Sequence, residues 1–117
     1  DANCLALSEA TDGAGAGRDV VFAVILGTGT GAGIAVHGRV LTGPNGLAGE
    51  WGHNPLPWAV AGEDPAWDCY CGQRGCNETF LCGPGIARDH AACTGQDLTA
   101  QQIAARAVEG DTACASS

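Results

Sequence analysis

The sequence predicts a mixed α/β chain, and three observations carry that prediction. A continuous apolar, partly β-branched run from Val20 to Leu26 is bounded by Asp19 and Gly27 and has the length of a buried strand. Thr99-Ala100-Gln101-Gln102 matches a capping box at the head of a helical stretch. Between these two, residues 42–68 are broken repeatedly by Gly and Pro and read as loop.

Taken in order, Asp1 to Ala10 has the Ala, Leu and Glu content of a helix, with Asp1 where an N-cap or first-turn acid belongs. Residues 11–18 (TDGAGAGR) form a Gly-rich connector to the strand at Val20. A second strand is expected from Ala32 to Val36, turning at His37-Gly38 and resuming at Arg39-Val40-Leu41. The following loop holds Gly43-Pro44-Asn45-Gly46, Asn54-Pro55-Leu56-Pro57-Trp58 and an exposed Gly62-Glu63-Asp64-Pro65. A short helix is expected from Asn77 to Cys82, broken or re-set by Gly83-Pro84-Gly85 before Ile86 to Cys93. The helix after Thr99 spaces Ile103, Ala104 and Val108 on one apolar face until Gly110, and Asp111-Thr112-Ala113 begins another.

Thirteen acidic against five basic residues give a net charge of −8, with no Lys/Arg cluster, so no nucleic acid is expected on this segment. The Val20–Leu26 run is far shorter than the ~20 residues needed to span a bilayer, so no membrane partner is expected and the location is read as cytoplasmic. The chain of 117 residues has no Met and opens directly on a helix, which reads as an internal piece of a longer protein. Seven Cys is an odd number, and their tightest grouping fits metal thiolates better than a disulfide framework.

That grouping is the strongest chemical signal. His53, Cys69, Cys71 and Cys76, spaced H-x15-C-x-C-x4-C, are a full ligand set for a tetrahedral structural Zn²⁺. Gly72 and Gly75 give the turn its backbone freedom. Such an ion would clamp the Pro-rich loop carrying Glu50 to the turn before Glu78. Two rigidly held carboxylates accept charge-assisted hydrogen bonds from adjacent hydroxyls, as polyol recognition requires. Trp51 and Trp58 are expected to wall that pocket. The remaining Cys4, Cys82, Cys93 and Cys114 read as small, partly buried hydrophobes.

Gly27-Thr28-Gly29-Thr30-Gly31 satisfies a G-x-G-x-x-A pattern, but Gly33-Ile34-Ala35-Val36 behind it is strand-like, so a dinucleotide fingerprint is disfavoured. A Gly-rich hairpin instead exposes backbone N–H groups and Thr hydroxyls suited to a phosphate. Asp1 offers a carboxylate at a helix N-terminus.

Together, D-A-N at the start, LGTGTGAG, GEWGHNPLPW and CYCGQRGCNETF resemble the ROK family of sugar kinases and repressors over essentially the whole chain. The GEWGHNPLPW form resembles the bacterial fructokinase (mannofructokinase) branch, with N-acetylglucosamine kinases close by. The resemblance implies an actin-like, hexokinase-type, ribonuclease H-like ATPase fold with ATP and sugar between two lobes. It implies phosphorylation of a hexose, fructose first, with ATP and Mg²⁺, in a homodimer. Position by position it makes Asp1 the general base and Asn3 its neighbour with a supporting role. It also makes Gly27 to Gly31 a phosphate loop, Glu50, His53 and Glu78 sugar contacts, and His53, Cys69, Cys71 and Cys76 the zinc ligands. Residues 1–117 would then span parts of both lobes, without the N-terminal phosphate motif or the C-terminal adenosine region, and would be inactive alone. A repressor with an upstream DNA-binding domain is the alternative of another class.

Overall fold

The structure, a computed structural model, describes residues 1–57 and 67–116. Trp58 and the Gly62-Glu63-Asp64-Pro65 stretch lie outside the described residues. Helix α1 (Ala2–Thr11) is followed by three antiparallel strands in the order β1 (Val20–Leu26), β2 (Thr30–Val36) and β3 (Arg39–Val40). A single 3-10 turn (Trp51–His53) precedes helices α2 (Asn77–Leu81), α3 (Gly83–Thr94), α4 (Ala100–Val108) and α5 (Thr112–Ala115). The α/β expectation holds.

Alternation along the β1–β2 pair decides what each face of the sheet meets. Val21↔Ala35, Ala23↔Gly33 and Ile25↔Gly31 share the face that α1 covers, where Ala6, Ala23 and Ala35 form the core with Leu5, Ala10 and Val21 packed around them. Small side chains there bring helix and sheet close together. A Cβ on Gly33 would run into the Ala2 carbonyl oxygen, so only glycine fits.

The opposite face carries Val20, Phe22, Val24 and Leu26, which stay exposed, Val20 at 62% and Leu26 at 60%. Part of this face is met by the loop leading into the 3-10 turn, whose Trp51 ring stands edge-on to Phe22 at 6.3 Å. Gly52 lies so close to the Thr30 carbonyl that any Cβ would collide with it. The turn bearing Glu50 and His53 is thereby pressed onto β2.

Several expectations move. Strand β2 begins at Thr30 and not at Ala32, because Leu26↔Thr30 pairing closes the hairpin two residues earlier. The helix re-sets as expected, α2 ending at Leu81, but α3 begins at Gly83 and not at Ile86: a Pro in the first turn loses no intrahelical bond, and Cys82 Sγ caps it by accepting from Gly85 N at 3.3 Å. Thr99 and Gln102 form the complete capping box on α4. The apolar face expected there is not buried as a whole: Ile103 is, while Val108 is 90% exposed. Of the four Cys outside the cluster, Cys82 and Cys114 are buried, but Cys4 and Cys93 are exposed.

Candidate functional site

Two short antiparallel bridges build the thiol turn. Pro55↔Cys76, with Leu56 N donating to Gly75 O at 2.9 Å and Asn77 N to Asn54 O at 2.8 Å, joins the Pro-rich loop to the end of the turn. Asp68↔Arg74 and Cys69 N donating to Gln73 O at 2.8 Å close the turn itself, with Gly72 and Gly75 at positive φ. Asn77, almost fully buried, donates from Nδ2 to Trp51 O at 3.2 Å and so links α2 to the 3-10 turn. Residues 19 to 23 positions apart thus meet by backbone pairing.

The result is that one ligand atom from each of His53, Cys69, Cys71 and Cys76 lies within 4.8 Å of all the others. Cys69 Sγ is 3.6 Å from His53 Nδ1, and Cys71 Sγ is 3.7 Å from Cys76 Sγ. Around an ideal tetrahedral zinc with Zn–S ≈ 2.3 Å and Zn–N ≈ 2.05 Å, those edges would be about 3.6 Å and about 3.8 Å. The donor set fits such an ion in type and in spacing. Cys76 is 1% exposed, and burial, followed by the neighbouring Cys71 and Cys69, pushes its thiol up to about 12. Cys71 is instead held below the usual thiol range, chiefly by the Gln73 backbone hydrogen bond. Two thiols with opposite tendencies sit side by side.

Beside this cluster, Glu78 turns toward the glycine hairpin. Its Oε2 accepts from Thr30 N at 2.9 Å and lies 2.7 Å from where a Cβ on Gly29 would stand. One backbone N–H that the hairpin could have offered to a phosphate is therefore taken. Thr30 Oγ1 is buried with no hydrogen-bond partner among the described residues, the kind of orphan a ligand or water satisfies. Gly27 N donates to Gly29 O at 2.9 Å, and Gly27 O accepts from Gly83 N at 2.7 Å, so the hairpin is fastened to the head of α3.

Glu50 precedes the 3-10 turn, is exposed and makes no cap hydrogen bond. The carboxylate of Glu78 first, then burial, Cys69 and Glu50, raise the Tyr70 phenol above its ordinary value. The phenol oxygen lies 3.0 Å from His53 Nε2, and the two rings meet edge-on at 5.1 Å. His53 Nε2 therefore meets an exposed hydroxyl that feels the charge of Glu78 and Glu50. A cavity of about 450 Å³ runs from that hydroxyl to the hairpin, lined by Thr28, Gly29, Tyr70, Glu78, Cys82 and Arg88. A larger one of about 710 Å³ opens on the other side, between Gly27, Thr28 and the apolar residues of α3 and α4.

Asp1 is the N-cap residue of α1 but its side chain makes no cap; its carbonyl accepts from Leu5 N at 2.9 Å. The carboxylate is exposed, and the next residue, Ala2, lies against Gly31 and Gly33 of β2. Asn3 is half-buried in α1. Trp51 stands edge-on to Phe22 of the sheet. Tyr70, Asn77 and Arg88, which stacks over Trp67 at 4.1 Å and donates to Thr79 O, were not legible as site residues. Adjacency to Cys69, Cys71 and Cys76 was the signal for the first two.

Similarity to known proteins agrees with this geometry. The chain is 42% identical over 116 residues to an N-acetyl-D-glucosamine kinase of Pasteurella multocida, covering 95% of this chain and 38% of that protein. It is 44% identical over 98 residues to the N-acetylgalactosamine kinase AgaK of a Shewanella species, covering 82% of this chain and 32% of that protein. Among solved structures, a ROK hexokinase from Thermus thermophilus superposes with a TM-score of 0.79 at 32% identity, over 97% of this chain and 37% of that one. A ROK glucokinase from Streptomyces griseus, crystallised with glucose and AMPPNP, gives 0.79 at 29% identity over 97% and 40%. A ROK transcriptional regulator homologous to the MLC protein of E. coli gives 0.76 at 30% over 97% and 30%. The expectation of fructose finds no support in these relatives. With the ROK family model matching residues 1–117 from end to end, the chain belongs to the ROK family.

Proposed function

We propose that this chain carries the sugar pocket and phosphate hairpin of an ATP-dependent kinase that phosphorylates a hydroxyl of an N-acetylhexosamine, N-acetylglucosamine first. The two curated relatives are named as kinases of N-acetylglucosamine and N-acetylgalactosamine, and fructose gives way to them. Since the chain spans 38% and 32% of their lengths, the activity is that of the whole protein carrying this segment.

The observation that carries the reading is the convergence of four metal-type ligand atoms, one of them from His53, beside a cavity that Glu78 lines and next to the 3-10 turn that Glu50 precedes. Glu78 commits one oxygen to Thr30 N, which leaves the other for a sugar hydroxyl and ties the sugar's position to the hairpin. Glu50 and His53 take neighbouring hydroxyls. Zn²⁺ held by His53, Cys69, Cys71 and Cys76 would be structural, since four protein ligands leave no open position.

Phosphoryl transfer asks a protein mainly for positioning and charge stabilisation. The Gly27-Thr28-Gly29-Thr30-Gly31 hairpin would back the nucleotide phosphates, on which Mg²⁺ arrives with ATP. Asp1 would accept the proton of the attacking hydroxyl, with Asn3 in support. The regulator among the similar structures sustains a second reading, a sugar-responsive repressor, but Asp1 and the hairpin have little use in a pure sensor.

The test is steady-state turnover of ATP by the whole protein with N-acetylglucosamine, N-acetylgalactosamine, glucose and fructose. N-acetylglucosamine is expected to be phosphorylated best, and Asp1→Asn to lower kcat by about 10²–10⁴-fold while sugar affinity persists. Sugar binding without turnover of any sugar would move the protein to the repressor reading. Preference for fructose would overturn the substrate.

A further inference from the structure

The Tyr70 side chain occupies the place that the proposed function gives to a sugar hydroxyl. Its residue is 83% exposed, yet its hydroxyl is 3.0 Å from His53 Nε2, and it lines the same cavity as Glu78. His53 turns Nδ1 toward the thiols, 3.6 Å from Cys69 Sγ. When that nitrogen uses its lone pair on a metal, the ring proton resides on Nε2, and one N–H serves one acceptor. In that tautomer the phenol oxygen, 3.0 Å away, would be its acceptor. A sugar oxygen needing the same N–H must displace the phenol.

The means of displacement are present. Tyr70 lies between Cys69 and Cys71 in the turn, and apart from its hydroxyl the ring is held by an edge contact to His53 at 5.1 Å. The ring borders the 450 Å³ cavity, so moving it opens the way between the carboxylates and the hairpin. Backbone pairing fixes the turn, leaving the side chain to move alone.

We infer that Tyr70 is a specificity-determining gate, its hydroxyl holding the His53 Nε2–H when no sugar is bound and yielding it only to a ligand whose other contacts repay the exchange. The inference rests on the sugar-pocket reading above. It names a residue that filters ligands by hydroxyl placement: a sugar that cannot offer an oxygen to Nε2 leaves the gate shut.

The test is calorimetric titration of N-acetylglucosamine into the whole protein and its Tyr70→Phe and Tyr70→Ala variants, with KM and kcat measured on the same preparations. An exposed hydrogen bond is a modest competitor, so Tyr70→Phe is expected to bind the sugar about two- to fivefold more tightly. The gain should appear in KM and not in kcat. Zinc stoichiometry measured alongside checks that the turn is intact in both variants. Wild-type protein that binds sugar, with Tyr70→Phe equal or weaker, overturns the gate alone and makes Tyr70 a contact or a prop. Wild-type protein that binds no sugar overturns the pocket reading and the gate with it. Tyr70→Ala should match Tyr70→Phe in direction; a loss in both overturns the inference.

Discussion

Residues 1–40 are joined by a strand ladder and by alanines packed at close range, whereas residues 49–57 and 67–82 meet through scattered backbone bridges and a knot of sulfur and imidazole. In the first region the buried residues include Ala6, Ala23 and Ala35; in the second they are Gly52, Cys69, Cys76, Asn77, Thr79 and Cys82. The first has apolar surface to remove from water and can order itself. The second removes little, so its geometry must come from specific bonds, and a metal on the proposed site would supply the strongest of these. The contrast separates a scaffold from a clamp.

The largest test removes the metal. Structural zinc contributes on the order of 10–16 kcal/mol in small zinc-dependent peptides, far more than any hydrogen bond in this turn. A chelator, or Cys76→Ala, is therefore expected to abolish amide-exchange protection across residues 67–78 while β1 and β2 stay protected. Equal protection with and without metal would erase the distinction between the two regions.

Two glycine substitutions sharpen it at smaller scale. A Cβ on Gly33 meets the Ala2 carbonyl, and one on Gly52 meets the Thr30 carbonyl, so each forces a backbone apart at a cost of about 1–3 kcal/mol. Gly33→Ala is expected to lower the denaturant midpoint and keep zinc affinity. Gly52→Ala should do the reverse, weakening zinc and sugar binding by moving the His53 turn off β2. Both variants losing the same property would show that the regions fold as one unit.

The smallest effect belongs to neither region. Thr99→Ala breaks the capping box of α4 and is expected to cost about 1 kcal/mol in denaturant unfolding, without touching metal or sugar affinity.

Which parts were readable follows from the same contrast. The β1–β2 hairpin was legible because its apolar run and its glycines are local signals, and the error of two residues in β2 arose from a cross-strand partner, Leu26, that a strand cannot announce by itself. The capping box was legible because both partners lie within four residues. The re-setting of the helix at Gly83-Pro84-Gly85 was legible, but its start was placed at Ile86 and not at Gly83, because Pro both breaks a helix interior and favours a helix start, and position within the helix is not printed in the residue type. Val108 was placed on an apolar face by spacing, yet spacing says which residues share a face and not whether anything covers it, and Val108 is exposed.

By itself the sequence determined the ligand types of the candidate site, His53 with Cys69, Cys71 and Cys76, and the carboxylates beside them, since donor chemistry is a property of residues. Tertiary structure decided where those groups point: Glu78 to the hairpin at Thr30, His53 between Cys69 and Tyr70, Trp51 onto the sheet. Direction depends on contacts between segments far apart along the chain, and no local pattern encodes it.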